Sequence, residues 1–210
     1  MLYEVGKRIM DIFGAILGII LFSPLMVLGA ILVKVFSFEG PVFADIPLRS
    51  GKNGEPFEMY KFRSMHHGAH EKMLADPHLS KIYRENNYKL DNDPRWHRAG
   101  MFLRKSSIDE MPQFFNVLKG EMSIVGPRAY FPFELKERSE EFPETKPYIE
   151  KLLTIKPGLT GPWQVSGRSK IGFVERTRMD AAYASKRSLL YDLMIILRTP
   201  FALLSGKGAY

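Results

Sequence analysis

The polarity pattern of the chain is dominated by one uncharged run, Ile12 to Val33, with Lys7 and Arg8 before it and Lys34 directly after it. As a helix it is long enough to cross a hydrocarbon core of about 30 Å. It is too long for the core of a signal peptide and has no small-residue cleavage site ahead of Lys34. Ser23-Pro24 falls near its middle, where proline removes a backbone donor and the serine hydroxyl can serve a carbonyl left free, so a sharp kink is expected there. Positive charge on both flanks fits a segment that enters and leaves by one face better than one that crosses. The alternative is a straight transmembrane helix that tolerates its proline. The pattern therefore predicts residues 1–38 as a re-entrant membrane helix broken at Ser23-Pro24, and 39–210 as a polar domain on one side of the bilayer.

Beyond the anchor the elements are shorter. Glu39-Gly40-Pro41-Val42-Phe43-Ala44 reads as a turn and strand, Arg49 to Gly54 as a hairpin loop, and Phe57 to Arg63 as the returning strand. Alternation puts Lys61 and Arg63 on one face of that small antiparallel sheet, as on any solvated face. Residues 66 to 98 are polar, with a helix expected around Ala69 to Glu85, a break at Asn86-Asn87 and a turn at Asp93-Pro94. Tyr183 to Leu204 is rich in Leu, Ile, Met and Tyr with spaced cations, which suits helices lying against lipid headgroups and equally suits core helices. The fold expected is α+β, helix-dominated and monotopic, with a small antiparallel sheet.

Composition narrows the chemistry. Thirty Lys+Arg against 23 Asp+Glu give a net charge of +7, which points to an anionic partner without saying whether it is nucleic acid, a phosphorylated ligand or an acidic membrane. The absence of cysteine excludes disulfides, thiolate nucleophiles and Cys-ligated zinc. His66, His67 and His70 have only Glu71 as a nearby carboxylate and read as exposed surface histidines in preference to a zinc site.

The informative stretch runs from Leu103 to Arg128. Apolar spacing from Phe114 to Leu118 suggests a short helix ended by Gly120. Ser107-x-x-Glu110 matches a capping box, but Pro112 moves the helix start to about Asp109 or later, which would put Asp109 and Glu110 at the helix mouth. Paired carboxylates there, flanked by Arg104 and Arg128, can accommodate phosphate once a divalent cation offsets the acids. An ionised aspartate can attack phosphorus, while a neighbouring glutamate holds Mg²⁺. Spacing alone leaves a capped surface helix open as the other reading.

The run Arg104-x4-Asp109-Glu110-x-Pro112-Gln113-x2-Asn116-Val117-Leu118-x-Gly120-x-Met122-Ser123-x-Val125-Gly126-Pro127-Arg128 resembles the bacterial sugar transferase family of small monotopic polyprenol-phosphate phosphoglycosyl transferases. So do Lys7-Arg8-x2-Asp11, Ser23-Pro24, Gly40-Pro41-Val42-Phe43, Arg49-x-Gly51, Tyr60-Lys61-Phe62-Arg63-Ser64-Met65 and Asp93-Pro94-Arg95. Pro157-Gly158-Leu159-Thr160-Gly161, Trp163-Gln164-Val165-Ser166-Gly167-Arg168 and the ending Gly206 to Tyr210 extend the likeness over essentially the whole chain.

The resemblance implies an enzyme on the cytosolic face of the bacterial inner membrane. It would transfer a sugar phosphate from a UDP-sugar to undecaprenyl or a similar polyprenyl phosphate and release UMP, as the first membrane step of glycoconjugate or exopolysaccharide synthesis. Asp109 would be the nucleophile, forming a phosphosugar intermediate, and Asp109 and Glu110 would hold Mg²⁺. Lys61, Arg63, Arg104 and Arg128 would bind the substrate, with Gln164 and Arg168 as weaker candidates for nucleotide or sugar contacts. The implied partners are the sugar donor, the polyprenyl acceptor and membrane lipids; nucleic acid is not among them, and a homo-oligomer is compatible. Ile108 and Met111 stand where leucines are common, and the stretch from His66 to Asn92 is longer than in some small members. The chain is expected to be either a small member or the catalytic half of a larger one. Two other classes compete: a membrane-tethered module that binds anionic ligands, and a nucleotide-sugar hydrolase.

Overall fold

The computed structural model describes residues 2–44, 47–85, 90 and 93–204. The break expected at Asn86-Asn87 and the ending Gly206 to Tyr210 lie outside the described residues.

The apolar run is the middle of α1 (Leu2–Phe36), 35 residues long and about 50 Å at helical rise. Pro24 lies inside it without ending the helix. Proline has no amide to offer the Ile20 carbonyl, and Ser23 Oγ donates to that oxygen at 2.9 Å. The break expected at Ser23-Pro24 is thus a missing ladder bond repaired by a hydroxyl, within one helical run.

The burial of α1 is inverted relative to a soluble core helix. The residues it buries are Lys7, Asp11, Ala15, Gly18, Gly29 and Val33, whereas Ile9, Phe13, Leu17, Ile20, Leu21 and Val27 are exposed. Large apolar side chains facing outward over several turns mark a lipid-facing surface. The inward stripe touches the rest of the protein over its full length. A Cβ at Gly6 would meet Leu189, one at Gly14 would meet Ile124, and one at Gly29 would meet Ile108 and Phe62. The polar ends are tied down on the same body: Arg8 donates to the Val117 and Leu118 carbonyls at 2.7 and 2.8 Å, and Lys34 Nζ to Gly40 O at 3.1 Å. One apolar helix held at both ends by one body is a monotopic arrangement.

The body contains a small antiparallel pair, but placed differently from the expectation: β1 (Arg49–Ser50) lies in the stretch read as the loop and pairs with β2 (Pro56–Phe57) through a turn that holds Asn53 and Gly54 at positive φ, while Phe57 to Arg63 is extended and is not a continuous strand. Phe43 bridges Phe62 to extend it. The helix expected over Ala69 to Glu85 is two, α2 (Ala69–Ala75) and α3 (Pro77–Glu85). Asp76 separates them, its Oδ1 accepting the His78 and Leu79 amides as an N-cap would. Then follow α4 (Gly100–Lys105), α5 (Gln113–Lys119), β3 (Ser123–Val125), α6 (Pro132–Glu141), α7 (Lys146–Leu152) and β4 (Gly158–Thr160). The chain ends in α8 (Pro162–Ser166), α9 (Phe173–Lys186) and α10 (Leu189–Leu204). β3 and β4 form a second, parallel pair, Ser123 opposite Gly158 and Val125 opposite Thr160. The pairing requires glycine: any Cβ at Gly158 would overlap the Gly126 backbone.

A core under α5, β3 and the last two helices includes Val117, Met122, Val125, Tyr183 and Ile195. A smaller one joins α1 to the site through Val33, Phe62, Leu103 and Ile108. Of the last two helices, α9 buries Thr177, Asp180 and Tyr183, whereas α10 leaves Leu190, Leu197, Phe201 and Leu204 largely exposed. Its uncovered apolar face fits the headgroup reading of that stretch.

The stripe of small residues sets how closely α1 approaches. A Cβ at Gly18 would lie 2.6 Å from the Phe114 ring, which is itself stacked on Phe22. Gly18→Val is expected to cost about 1–3 kcal/mol of stability, read as a lowered thermal midpoint in detergent. Gly172→Ala, where a Cβ meets nothing within 4 Å, is the unaffected control.

Candidate active site

Asp109 and Glu110 lie in a 3₁₀ turn, Ile108–Glu110, and Pro112 precedes the first residue of α5. The acids therefore sit one turn ahead of α5 and not at its own mouth. Ser107 takes a left-handed conformation (φ 57°) and makes no side-chain cap, so the capping-box reading fails. α5 itself ends as expected, with Gly120 at φ 86°.

The segment carrying Lys61, which follows β2, is pinned beside this turn by its own backbone. Phe62 N–H donates to Asp109 O at 2.9 Å, and Tyr60 N–H donates to Asn116 Oδ1 at 2.9 Å. Asn116, fully buried, also donates to Glu58 O at 2.7 Å. With both flanking residues fixed, Lys61 Nζ lies 2.9 Å from Asp109 Oδ2 and 3.1 Å from Glu110 Oε1.

The two carboxylates differ in environment. The Asp109 side chain is 2% exposed and that of Glu110 50%. Burial pushes the Asp109 carboxyl above the ordinary carboxylate range; Lys61 opposes the rise and the Glu110 charge adds to it. Glu110 is drawn down chiefly by Lys61, with help from Arg128 and Arg104. Among the described residues no three metal-ligating side chains gather in one place. The acidic pair nevertheless suits Mg²⁺, which is commonly held by one or two carboxylates together with substrate phosphates.

Cations surround the pair. Arg104, on α4, lies with its guanidinium 5.6 Å from the Trp96 ring and pulls down both acids. Arg128 stands 5.7 Å from the Trp163 ring, and Arg176 approaches the same ring at 4.6 Å. Arg49 is buried 3.3 Å over the Phe131 ring and donates to Ala129 O at 3.0 Å. Burial and the Arg128 charge push its guanidinium down to about 9, with Glu110 opposing the shift. Arg49, Arg128 and Arg176 each keep a buried Nε without a hydrogen-bond partner. Arg128 thus stands between the acids and two further guanidiniums, Arg49 and Arg176, so that positive charge is concentrated on that side of the acidic pair.

The structure thus brings together Lys61, Asp109 and Glu110, with Arg104 and Arg128 close enough for their charges to act on the acids. It sends Arg63 elsewhere: buried, its guanidinium donates to the Ser37 and Glu39 carbonyls just past the end of α1. Gln164, on α8, is half-buried with Oε1 lacking a partner, near Gly161. Arg168 is held at φ 55° in the turn after α8, with no contact joining it to the acids among the described residues. His66 and His67 are exposed. Reading the residues did not single out Arg49, Trp163 or Arg176. The first two lie in quoted motifs; Arg176 carries no local signal.

Asp180, to which the sequence assigned no role, accepts from the Arg128 amide at 3.1 Å and the Tyr130 hydroxyl at 3.2 Å. It thereby fixes the backbone that carries Arg128. Burial pushes its carboxyl up to about 7. Because the unfolded carboxyl ionises near the ordinary aspartate value of about 4, this group's contribution to stability is complete below that pH and is lost as pH rises to about 7. Asp180→Asn should flatten that part of the stability profile, measured as thermal midpoints from pH 4 to 8.

The structure thus carries a buried and a half-exposed carboxylate bridged by one lysine, near guanidiniums, on a helix-dominated body attached to a single apolar helix. The chain belongs to the bacterial sugar transferase family, whose model matches residues 2–206. It is 39% identical over 207 residues to the undecaprenyl-phosphate galactose phosphotransferase of Salmonella typhimurium, covering 97% of this chain and 41% of that one. It is 38% identical over 209 residues to the exopolysaccharide production protein ExoY of Rhizobium meliloti, covering 98% and 88%. The UDP-glucose:undecaprenyl-phosphate glucose-1-phosphate transferase of Caulobacter vibrioides is 36% identical over 213 residues, covering 99% of this chain and 73% of the relative. The chain spans about two fifths of the length of the first of these relatives.

Proposed function

We propose that this protein transfers a sugar phosphate from a UDP-sugar to a polyprenyl phosphate and releases UMP, an opening membrane step in making a polysaccharide or other glycoconjugate. The observation that carries this reading is the pairing of a buried carboxylate, Asp109, with a half-exposed one, Glu110, across a single lysine and beside guanidiniums with unserved donors. Relatives named for undecaprenyl-phosphate sugar-phosphate transfer support it. The sugars in their names differ, galactose in one and glucose in the other, so the donor sugar of this chain is left to measurement.

In the proposed reaction an Asp109 oxygen attacks the phosphorus that bears the sugar. The bond from that phosphorus to the bridging oxygen breaks, and UMP departs with that oxygen. An oxygen of the polyprenyl phosphate then attacks the same phosphorus, displaces Asp109 and leaves a polyprenyl diphosphate sugar. Asp109 and Glu110 would hold Mg²⁺, which when bound offsets the charge of the diphosphate. Lys61 keeps the two acids ionised side by side, and Arg104 and Arg128 orient phosphate oxygens. Arg49 and Arg176 add positive charge beside Arg128. The helix α1 would enter and leave by the cytosolic face of the bacterial inner membrane, with α10 against the headgroups, presenting the acceptor phosphate to the turn at Asp109.

The test is nucleotide release from a panel of UDP-sugars with Mg²⁺, with polyprenyl phosphate present or omitted. UMP that requires the lipid is the expected result; lipid-independent UMP would mean a hydrolase, and donor binding without release would mean a binding module. Asp109→Asn should lower turnover by roughly 10³-fold or more and leave membrane association intact. Because the nucleophile must be ionised and its carboxyl sits above the ordinary range, kcat/KM should fall on the acid side with an apparent pKa above that of an ordinary aspartate. Lys61→Met removes the main opposing charge, so the acid limb should move to still higher pH in a kcat/KM profile.

A further inference from the structure

At the start of α4 lies a cavity of about 270 Å³ that the reaction scheme above does not use. Asp93, Trp96, His97, Arg98 and Met101 line it. Its wall is held from behind. Met65 bridges Trp96 as an isolated antiparallel pair, the His66 amide donates to Arg95 O at 2.8 Å, and a Cβ at Gly100 would overlap the Ser64 carbonyl. The Asp93 carboxylate is already committed, because the Arg95 Nε–H reaches Oδ1 at 2.8 Å and Oδ2 at 3.0 Å.

Two polar atoms on this wall have no hydrogen-bond partner among the described residues, and both are buried: His97 Nδ1 and Trp96 Nε1. The protonation of His97 follows from its other nitrogen. The residue is 1% exposed, and Nε2 lies 2.8 Å from Arg63 O. A carbonyl only accepts, so Nε2 carries the proton. Burial lowers the pKa of the ring and keeps it neutral, which leaves Nδ1 as an acceptor. Buried polar atoms are seldom left unserved. An uncharged acceptor and an uncharged donor on adjacent residues suit hydroxyl groups, which can give a hydrogen bond and take one.

Arg104 connects the cavity to the acids. It lies three residues after Met101, so one face of α4 carries both. Its guanidinium stands 5.6 Å from the Trp96 ring and pulls down both Asp109 and Glu110. A phosphate held by Arg104 in front of Asp109 is therefore one side chain away from Trp96. In a UDP-sugar, the group bonded directly to the attacked phosphorus is the sugar, whereas the base lies beyond a second phosphate and a ribose. Further positive charge gathers at Arg128, with Arg49 and Arg176 beside it. That charge suits the departing nucleotide, and the uncharged donor and acceptor at Trp96 and His97 suit the sugar.

We propose that this cavity is the subsite for the sugar of the UDP-sugar, in which His97 Nδ1 accepts a hydrogen bond from one sugar hydroxyl and Trp96 Nε1 donates one to another. The inference rests on the functional reading above and adds to it the residues that select the sugar. Neither side chain takes part in the chemical steps; both hold the group that is transferred.

The experiment measures binding by titration calorimetry in nanodiscs, with the full chain carrying Asp109→Asn so that no UDP-sugar is consumed. UDP-glucose, UDP-galactose and UDP-N-acetylgalactosamine are compared with UDP, which lacks the sugar. One of the three should bind best. In Trp96→Phe and in His97→Gln its affinity relative to UDP should fall by about fivefold or more, the loss expected for one hydrogen bond. Trp96→Phe keeps an aromatic ring near Arg104, and His97→Gln keeps a donor for Arg63 O, so UDP itself should bind both variants as it binds the parent. Its affinity also reports that each variant is folded. Equal weakening of UDP and UDP-sugar would overturn the subsite, as would an unchanged ratio or a parent chain that binds the three sugars alike. A parent chain that binds neither UDP nor any UDP-sugar would sink the functional reading, and the subsite with it.

Discussion

The geometry depends on Lys61 standing between two adjacent carboxylates. A carboxylate as buried as Asp109 could not stay ionised beside a second acid without a cation in contact. The cation cannot be left to a flexible surface side chain. Here its backbone is fixed on both sides, by the Phe62 amide on the Asp109 carbonyl and by the Tyr60 amide on Asn116. The segment Tyr60–Phe62, the acidic turn and α5 therefore form one unit, and a shift in any of them moves the lysine relative to both acids.

That unit rests on the membrane helix. Beneath the acids, Ile108 and Phe62 pack on Val33 and across Gly29. Further toward the N-terminus, Asp11 Oδ1 accepts from Ser123 Oγ at 2.9 Å and from the Ile124 amide at 3.0 Å, which joins α1 to β3. Tyr183 donates to Asp192 at 2.5 Å and joins α9 to α10 in the same buried network. The motif Lys7-Arg8-x2-Asp11 thus has a structural meaning: its first and last members form a buried pair that clamps the helix, and Arg8 closes the end of α5.

The sequence made some of this legible, for physical reasons that differ between elements. Asp109, Glu110 and the anchor stood out because their signals are local, an acidic doublet before a proline and a long uncharged run; Lys61 was singled out only by the resemblance, since alternation alone read it as part of a solvated face. Arg63 was grouped with Lys61 because alternation puts residues two apart on one face. Its partners are carbonyls just past the end of α1, a contact that no spacing rule contains. The parallel pair β3 and β4 escaped because three-residue strands are too short to show a period, although the glycines that allow it stood in quoted motifs. Asp76-Pro77 was a readable helix start inside the span taken as one helix. Arg49 and Arg176 were unreadable as site residues, since only the fold makes them neighbours of Arg128.

The shared packing of Val33 with Ile108 and Phe62 ties the chemistry to a place. The floor under Asp109 is part of the same helix whose opposite face is apolar and exposed, so the acidic turn and the lipid-facing surface share one support. A displacement of that helix would carry the acids and the lipid-facing surface along together, so that the depth of the one sets the position of the other.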